Sequence, residues 1–585
     1  MNYKLNNTTQ SQKTNITQAF KKMFSLMADE KKSIFWSLIA ILVNAGLNLL
    51  GPYLFGHAID KYIIPKNYHG VLMYSGILLL VYITAFFANY VQMKLMGSVA
   101  QRVLFKLRNN VFTKLQELPV AFFNQNKIGD LISRINNDTD KLNQFFSETL
   151  MRFVGSVFMI VGAGIFVLVI SPTLGTAALV PAVVIFLFTQ LVSGWVKRKN
   201  TKSLQAVGSM SSEIQESLNN FKVIVAFHRR DYFRQKFSEA NQKNFSAAVQ
   251  SGLVNTIFTP VYDLSANAAQ LIVFSYGVYL ITQGNLTVGL LISFITYMNR
   301  FYEPLKQMAM MWASLQVAMA GWDRVSEILS LESNLTSVPT EKKFSSNSLL
   351  EFKNVTFQYP DGKVVLRDIN FHLDKGKTYA LVGPTGGGKT TTASLIARLY
   401  DPTEGNIFLD GKDLREYSQE ERTQKIGFIL QEPYLFSGTV RENILYGNEK
   451  YKNISSEEVA QLLQDHNLES LLKRFDKGLD TVVTTSGDMM SLGQRQLIAF
   501  MRAMLRDPEI LILDEATANI DTVTEQQLQD ILSKLPASTT KVIIAHRLNT
   551  IENADEIFFI NSGEITPAGS MEHAVSMLLE EHRES

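Results

Sequence analysis

Apolar residues along this chain follow two rhythms. Between residues 33 and 320 they gather in long runs. From residue 345 to 585 they come as short strand-like or helical groups separated by turn residues. Six of the long runs, near Ser33–Phe55, Val71–Leu95, Met151–Ile170, Leu174–Trp195, Asn255–Thr282 and Val288–Met311, reach the roughly 20 residues that a helix needs to cross a bilayer. A large soluble core would explain one or two such runs but not six in succession, so the pattern predicts six membrane-spanning helices.

The segments between the runs carry the orientation. Residues 98–149 hold seven Lys or Arg and residues 196–255 hold ten, whereas 171–173 and 283–288 hold none and 56–70 only Lys61 and Lys66. Positive charge marks the cytoplasmic side, which places both termini inside. The two basic segments contain little Gly or Pro, and Gln92–Leu118 and Ser203–Phe221 keep apolar residues at helical spacing. The spans are therefore expected to continue into the cytoplasm, where 20 further residues project about 30 Å. Each hairpin would end in a short tip, the first at Phe122-Phe123-Asn124 and the second at Phe221 to Phe227. Asp263 in the fifth run, and Arg300 and Glu303 beside Pro304 in the sixth, are ionisable groups in apolar surroundings. They either lie near the interface, pair with one another or line a wet cavity.

Composition adds less. With 585 residues the chain exceeds one core, and its net charge of +2 singles out no partner. It has no Cys, which excludes disulfides and thiolate metal sites. Residues 1–32 are polar, and the run from Ser33 is too long for a signal-peptide core.

The chemistry lies in the second half. Gly383-Pro384-Thr385-Gly386-Gly387-Gly388-Lys389-Thr390 fits the phosphate-loop pattern G-x-x-x-x-G-K-[ST], between an apolar strand at Thr378–Val382 and a helix at Thr391–Leu399. The glycines let backbone N–H groups turn toward phosphates, Lys389 reaches the outer phosphates, and the Thr390 hydroxyl suits Mg²⁺. Ile510-Leu511-Ile512-Leu513-Asp514-Glu515 reads as a buried parallel strand ending in two carboxylates. Asp514 suits the metal shell, and Glu515 is placed to polarise an attacking water. His546 follows a further strand, Lys541–Ala545, where it can hold the γ-phosphate and the water.

The order and spacing of these elements resemble the nucleotide-binding domain of ABC transporters. The resemblance adds Tyr359 as the aromatic that stacks on adenine, Gln431 in Ile429-Leu430-Gln431-Glu432-Pro433 as a Q-loop touching Mg²⁺, Asp521 at the end of the D-loop, and His546 in Ala545-His546-Arg547-Leu548 as the switch histidine. It implies ATP on Gly383, Thr385, Gly386, Gly387, Gly388, Lys389, Thr390 and Thr391. It implies Mg²⁺ on Thr390, Gln431 and Asp514, and hydrolysis through Glu515 with His546, Lys389 and Gln431. The first half resembles the membrane domain of multidrug-type exporters, at Gly129-Asp130-Leu131-Ile132-Ser133-Arg134, Asn137-Asp138, Pro304-Leu305 and Arg324-Val325. The fold class that follows is multi-domain: an all-α polytopic membrane domain with long cytoplasmic extensions at 1–335, a linker at 336–348, and an α/β P-loop ATPase domain at 349–585.

Two family elements are altered. The signature Leu-Ser-Gly-Gly-Gln corresponds to Met490-Ser491-Leu492-Gly493-Gln494, and Ala518 and Asn519 stand where the D-loop usually has Ser and Ala. A glycine at the Leu492 position would allow close backbone approach and positive φ, both of which Leu opposes. Such domains resemble one another in pairing head to tail, so that Ser491, Gly493 and Gln494 would cap a nucleotide held by the opposite subunit. The resemblance therefore implies a heterodimer with a homologous but non-identical half-transporter, holding one hydrolytic and one degenerate ATP site, in a bacterial cytoplasmic membrane. Its expected cargo is lipophilic and drug-like, met by aromatics such as Phe86, Phe87, Tyr90, Phe153, Phe158, Phe294 and Tyr297. Lipid export and an ATP-gated channel are the alternatives, and no nucleic acid partner is implied.

Overall fold

The computed structural model describes residues 3–5, 27–333, 335, 348–360, 362–452, 454–484, 490–514, 522–533, 535–544, 554–569, 572–574 and 576–577. They fall into two compact units. One takes in Asn7–Leu115 and Gly129–Ser330. The other takes in Met1–Asn6, Gln116–Ile128 and Leu331–Ser585.

The first unit is helical. Its long elements are α1 (Lys31–Ala58) and α2 (Tyr68–Glu117), followed after the short helix α3 (Val120–Gln125), which belongs to the other unit, by α4 (Leu150–Ile170), α5 (Pro172–Asn219), α6 (Phe221–Ala226), α7 (Arg230–Thr256), α8 (Phe258–Thr282) and α9 (Val288–Leu329). Pro172 opens α5 at the first helical position, where its missing N–H costs nothing. Thr287 caps α9, its hydroxyl accepting from the Leu290 amide at 3.3 Å. Both helices run on well past the length that a bilayer needs, as expected: α2 is 50 residues long and α5 is 48. The predicted tips appear as α3 and α6.

Among the described residues, five helical stretches are long and apolar enough to cross a membrane: Ala28–Ile63, Tyr68–Glu117, Ile128–Ile170, Pro172–Asn219 and Arg230–Thr282. This departs from the six spans expected. The sixth run lies on α9, one unbroken 42-residue helix, but Asn299, Arg300, Glu303 and Lys306 interrupt its apolar stretch and lower its mean hydropathy.

Small residues let α1 and α9 approach closely. A Cβ on Gly289 would fall 2.0 Å from the Gly56 carbonyl oxygen, and Ser293 donates to the Pro52 carbonyl at 2.7 Å. Asp60 fastens the start of α9 by accepting from the Gly289 amide at 2.8 Å and the Thr287 hydroxyl at 2.5 Å. Behind this seam Val167, Leu174, Ala178, Ala269, Val273, Phe294, Tyr297 and Tyr302 form a shared core.

Arg134 is fully buried. It donates to Asp130 at 2.8 Å, to Glu327 at 2.7 Å and to the Arg324 carbonyl at 2.8 Å. Arg324 in turn meets Asp130, and Asp138 at 3.2 Å. The motif residues Arg134, Asp138 and Arg324 thus form one network joining the segment before α4 to the end of α9. Breaking a buried ion pair typically costs 3–5 kcal/mol. Here Asp130 and Glu327 keep about a quarter of their exposure, so Arg134→Ala is expected to cost about 2–3 kcal/mol. The check is the Tm of the detergent-solubilised protein, and an unchanged Tm would contradict the network's role.

In the second unit three sheets carry the strands β1 (Leu350–Gln358), β2 (Val364–Leu373), β3 (Thr378–Val382), β4 (Glu404–Leu409), β5 (Lys412–Asp413), β6 (Ile426–Ile429), β7 (Gly438–Thr439), β8 (Val482–Val483), β9 (Ile510–Asp514), β10 (Thr540–Ile544), β11 (Glu556–Asn561) and β12 (Glu564–Pro567). An antiparallel sheet runs β2-β1-β4-β5, β7 pairs with β8, and a six-stranded sheet runs β12-β11-β3-β10-β9-β6. In the larger sheet β11, β3, β10, β9 and β6 are parallel and β12 is antiparallel. Burial on both faces explains the unbroken apolar run in β9, all five of whose residues are buried. Each fully buried Ile or Leu there contributes about 1.5–3 kcal/mol.

Candidate functional site

In open parallel sheets the carboxyl ends of the strands and the loops that follow them form the reactive edge. At that edge the phosphate loop leaves β3 and enters α10 (Lys389–Ile396), two residues earlier than the sequence pattern indicated. Gly383, Gly386 and Gly388 have φ of 140°, 86° and 121°, conformations that side chains resist. A Cβ on Gly383 would lie 2.0 Å from the Ile560 carbonyl oxygen, one on Gly387 2.5 Å from the same atom, and one on Gly388 2.7 Å from Leu366. The loop is therefore seated closely on the end of β11. Nothing lies within 4 Å of an added Cβ at Gly386, so the cradle's open side is there. Thr385 completes the loop. Lys389 is 5% exposed and donates to the Gly383 and Pro384 carbonyls at 2.9 Å each. The Thr392 hydroxyl returns to the Gly388 carbonyl at 3.0 Å and steadies the first turn of α10.

The strand order β3-β10-β9 brings Asp514 across to the loop. The Thr390 hydroxyl donates to Asp514 at 3.5 Å, placing two hard oxygen ligands side by side. Glu515, Asp521 and His546, and the D-loop residues Ala518 and Asn519, lie outside the described residues. Gln431 is exposed just past β6, and its carbonyl accepts from the Gln496 amide at 3.5 Å.

Tyr359 packs edge-on against Phe357 and Tyr400, with ring centroids 4.9 and 5.4 Å away, and its hydroxyl is 3.1 Å from that of Thr391. Tyr400 is the residue that sequence reasoning missed. Its hydroxyl accepts from Asn124 on α3 at 2.8 Å, so the first tip is one residue removed from the aromatic expected to meet adenine. Burial pushes the Tyr400 phenol up, and the bond from Asn124 opposes this; the group stays neutral at physiological pH. Only the aromatic cluster around Phe357 and Tyr359 hinted at it. A second unforeseen contact ties α3 down. The backbone N–H groups of Tyr3 and Leu5 donate to Gln125 and Asn126 at 2.9 Å each, and Tyr3 is 2% exposed against Phe122.

The residues expected to correspond to the signature lie at the start of α11 (Leu492–Met504). Ser491 and Gln494 form a capping box, the Gln494 amide donating to the Ser491 hydroxyl at 3.1 Å and the Ser491 amide to Gln494 at 3.0 Å. Gln494 also donates to the Arg474 carbonyl at 2.8 Å. Leu492 is the first helical residue, and its φ is not positive. This corrects the expectation of strain at that position: the substitution changes volume, not backbone preference. Helix α11 also holds the chain after β6, since besides Gln496 its Arg502 donates to the Tyr434 carbonyl at 3.1 Å and the Asn443 carbonyl at 2.8 Å. Burial pushes the Arg502 guanidinium down to about 10, still cationic at neutral pH.

Two of the aromatics expected to meet cargo do not. Phe294 and Tyr297 are fully buried in the helical core, and the Tyr297 hydroxyl donates to the Leu49 carbonyl at 2.5 Å. Phe86, Phe87, Tyr90, Phe153 and Phe158 are exposed.

Residues 34–305 match the family described as ABC transporter transmembrane region, and residues 366–518 match the family described as ABC transporter. The uncharacterized ABC transporter ATP-binding protein YfiC of Bacillus subtilis is 33% identical over 571 residues, covering 95% of this chain and 92% of that protein. The probable multidrug resistance ABC transporter ATP-binding/permease protein YheH of the same organism is 32% identical over 512 residues, 87% of this chain and 75% of that protein. The ATP-dependent lipid A-core flippase of Syntrophus aciditrophicus is 30% identical over 557 residues, 94% and 92%. The chain belongs to the ABC transporter family. It is a half-transporter of the exporter kind, a helical multi-pass membrane portion fused to an ATP-binding portion that couples ATP hydrolysis to transport.

Proposed function

We propose that this chain is the catalytic-site half of a heterodimeric exporter that moves lipophilic small molecules out across a bacterial cytoplasmic membrane. In this reading 1–335 is the membrane domain, 336–348 the linker and 349–585 the ATPase domain, with both termini cytoplasmic. The carrying observation is Leu492, at the head of α11 in place of a signature glycine, in a chain whose own phosphate loop is complete. Its isobutyl group fills space at the helix N-terminus that a partner's nucleotide needs. The second tip supports a dimer: in α6 and just after it, Phe221 is 54% exposed, Val223 55%, Val225 39% and Phe227 74%, an apolar cluster that a second chain would cover.

The site chemistry follows from the residues. Lys389 and the loop amides hold the β and γ phosphates, and Tyr359 holds the adenine. Thr390, Asp514 and Gln431 would hold Mg²⁺, which when bound neutralises phosphate charge. Glu515 takes the proton of the attacking water and His546 orients it. Ser491, Gly493, Gln494 and Asp521 face the other chain's nucleotide. The tips α3 and α6 relay closure of the ATPase domains to the spans. Leu492→Gly is expected to raise ATP turnover of the copurified complex about twofold, two working sites replacing one. Unchanged turnover would mean that Leu492 is not what disables the second site, and a fully active pump of this chain alone would end the heterodimer reading.

Lipid export is the second reading, favoured by a charged cavity between α8 and α9.

A further inference from the structure

A cavity of about 780 Å³ opens between α8 and α9, with Ser156 and Met159 of α4 on its third side. Its depth follows from helix geometry. Gln270 and Asn299 stand some 12 residues from the α8–α9 turn, and Asp263 and Lys306 some 19, which is about 17 Å and 28 Å along the helices. The hydrocarbon layer is about 30 Å thick, so the cavity runs from its middle to one face.

Two bonds cross between the helices like rungs. Gln270 donates to Asn299 at 2.6 Å, and Lys306 donates to Asp263 at 2.9 Å. Arg300 and Glu303 stand between the rungs. They sit at i and i+3 on α9, a spacing at which opposite charges commonly pair. Here they form no ion pair with each other. Glu303 accepts from the Gln307 amide at 3.0 Å, and among the described residues Arg300 has no carboxylate within ion-pair distance. The alternatives left open by the sequence resolve accordingly: Asp263 is paired, while Arg300 and Glu303 line the cavity. Charges kept in an apolar layer without a mutual pair are costly, and are retained where a ligand meets them.

We propose that this cavity receives the headgroup of a zwitterionic amphiphile. Its phosphate or carboxylate lies on Arg300, its ammonium on Glu303, and its alkyl chain among the apolar side chains of the spans. Their backbone positions are offset by about 4.5 Å along the helix axis, so one headgroup with an anionic and a cationic end can reach both side chains. A simple lipophilic cation would leave Arg300 uncompensated, and a simple anion would leave Glu303 with only the Lys306 ammonium, which Asp263 already shares. This inference rests on the exporter reading and narrows its cargo.

The test uses the purified full-length chain, with the half it copurifies with, stripped of lipid. Three single-chain amphiphiles of matched length are titrated: a lysophosphatidylethanolamine, a lysophosphatidylglycerol and an alkyltrimethylammonium. Binding is read by native mass spectrometry. The zwitterion is expected to bind at least tenfold tighter than either other probe. Arg300→Gln should turn the preference toward the cation and Glu303→Gln toward the anion. If a single variant fails to fold, the double exchange Arg300→Glu with Glu303→Arg serves instead and should keep the zwitterion preference. A parent protein that favours the cation or the anion, or variants that leave the preference unchanged, would overturn the proposal. ATP turnover without amphiphile is measured on the same samples. Hydrolysis without headgroup preference removes this inference and leaves the exporter reading; headgroup preference without hydrolysis does the reverse.

Discussion

Glu515→Gln is expected to hold ATP with the parent's affinity and to hydrolyse it about 10²–10⁴-fold more slowly. The amide keeps the side chain's size but cannot take a proton. Glu515 directly follows Asp514 in the sequence, and β9, whose apolar residues are buried on both faces, carries Asp514 to the edge where the phosphate loop leaves β3. Equilibrium nucleotide binding and steady-state phosphate release separate the two effects. Full turnover in the variant would move the base elsewhere. Loss of binding alongside turnover would show a structural role instead.

Gly383→Ala carries the second large effect. The added methyl would meet the Ile560 carbonyl oxygen at 2.0 Å, and the backbone φ of 140° is one that side chains rarely adopt. The conformational cost alone is about 1–3 kcal/mol, and the clash adds to it because the atoms met are all Ile560 backbone. Relief by sliding the loop is blocked, since Gly387 stands against the same oxygen. ATP affinity should fall 100-fold or more, equivalent to about 2.8 kcal/mol. Gly386→Ala is the control: its φ of 86° also disfavours a side chain, but no atom lies within 4 Å of the added methyl. Its loss should be roughly tenfold, the lower part of that conformational cost with no clash added. Equal losses in the two variants would mean that Ile560 does not set the loop's position.

Much of the ATP-binding portion was legible because its elements are short and locally determined. The strand Thr378–Val382, the glycine spacing and the run Ile510–Asp514 each follow from burial on both faces or from a backbone that only glycine adopts. The long helical extensions were legible from apolar periodicity without Gly or Pro. What escaped depends on partners distant in sequence. Nothing local marks Tyr400 as a partner of Asn124, or Tyr3 as a residue buried on α3. The buried position of Arg134 requires Glu327, almost 200 residues away. Phe294 and Tyr297 misled for the same reason: an aromatic in a span gives no sign of whether it faces a neighbouring helix or open space. Leu492 misled because the rule for positive φ was applied to a residue that begins a helix.

The length of α5 has a mechanical consequence. From Trp195, at the end of its apolar part, to Asn219 the helix continues without a break for 24 residues, about 36 Å. A stiff rod of that reach is a lever. Tilting it by about 10° about its membrane end displaces the far end by about 6 Å, more than one helical turn. The converse also holds: the tip must travel that far for the buried end to turn through so small an angle. Force applied at α6 is thereby multiplied within the apolar layer.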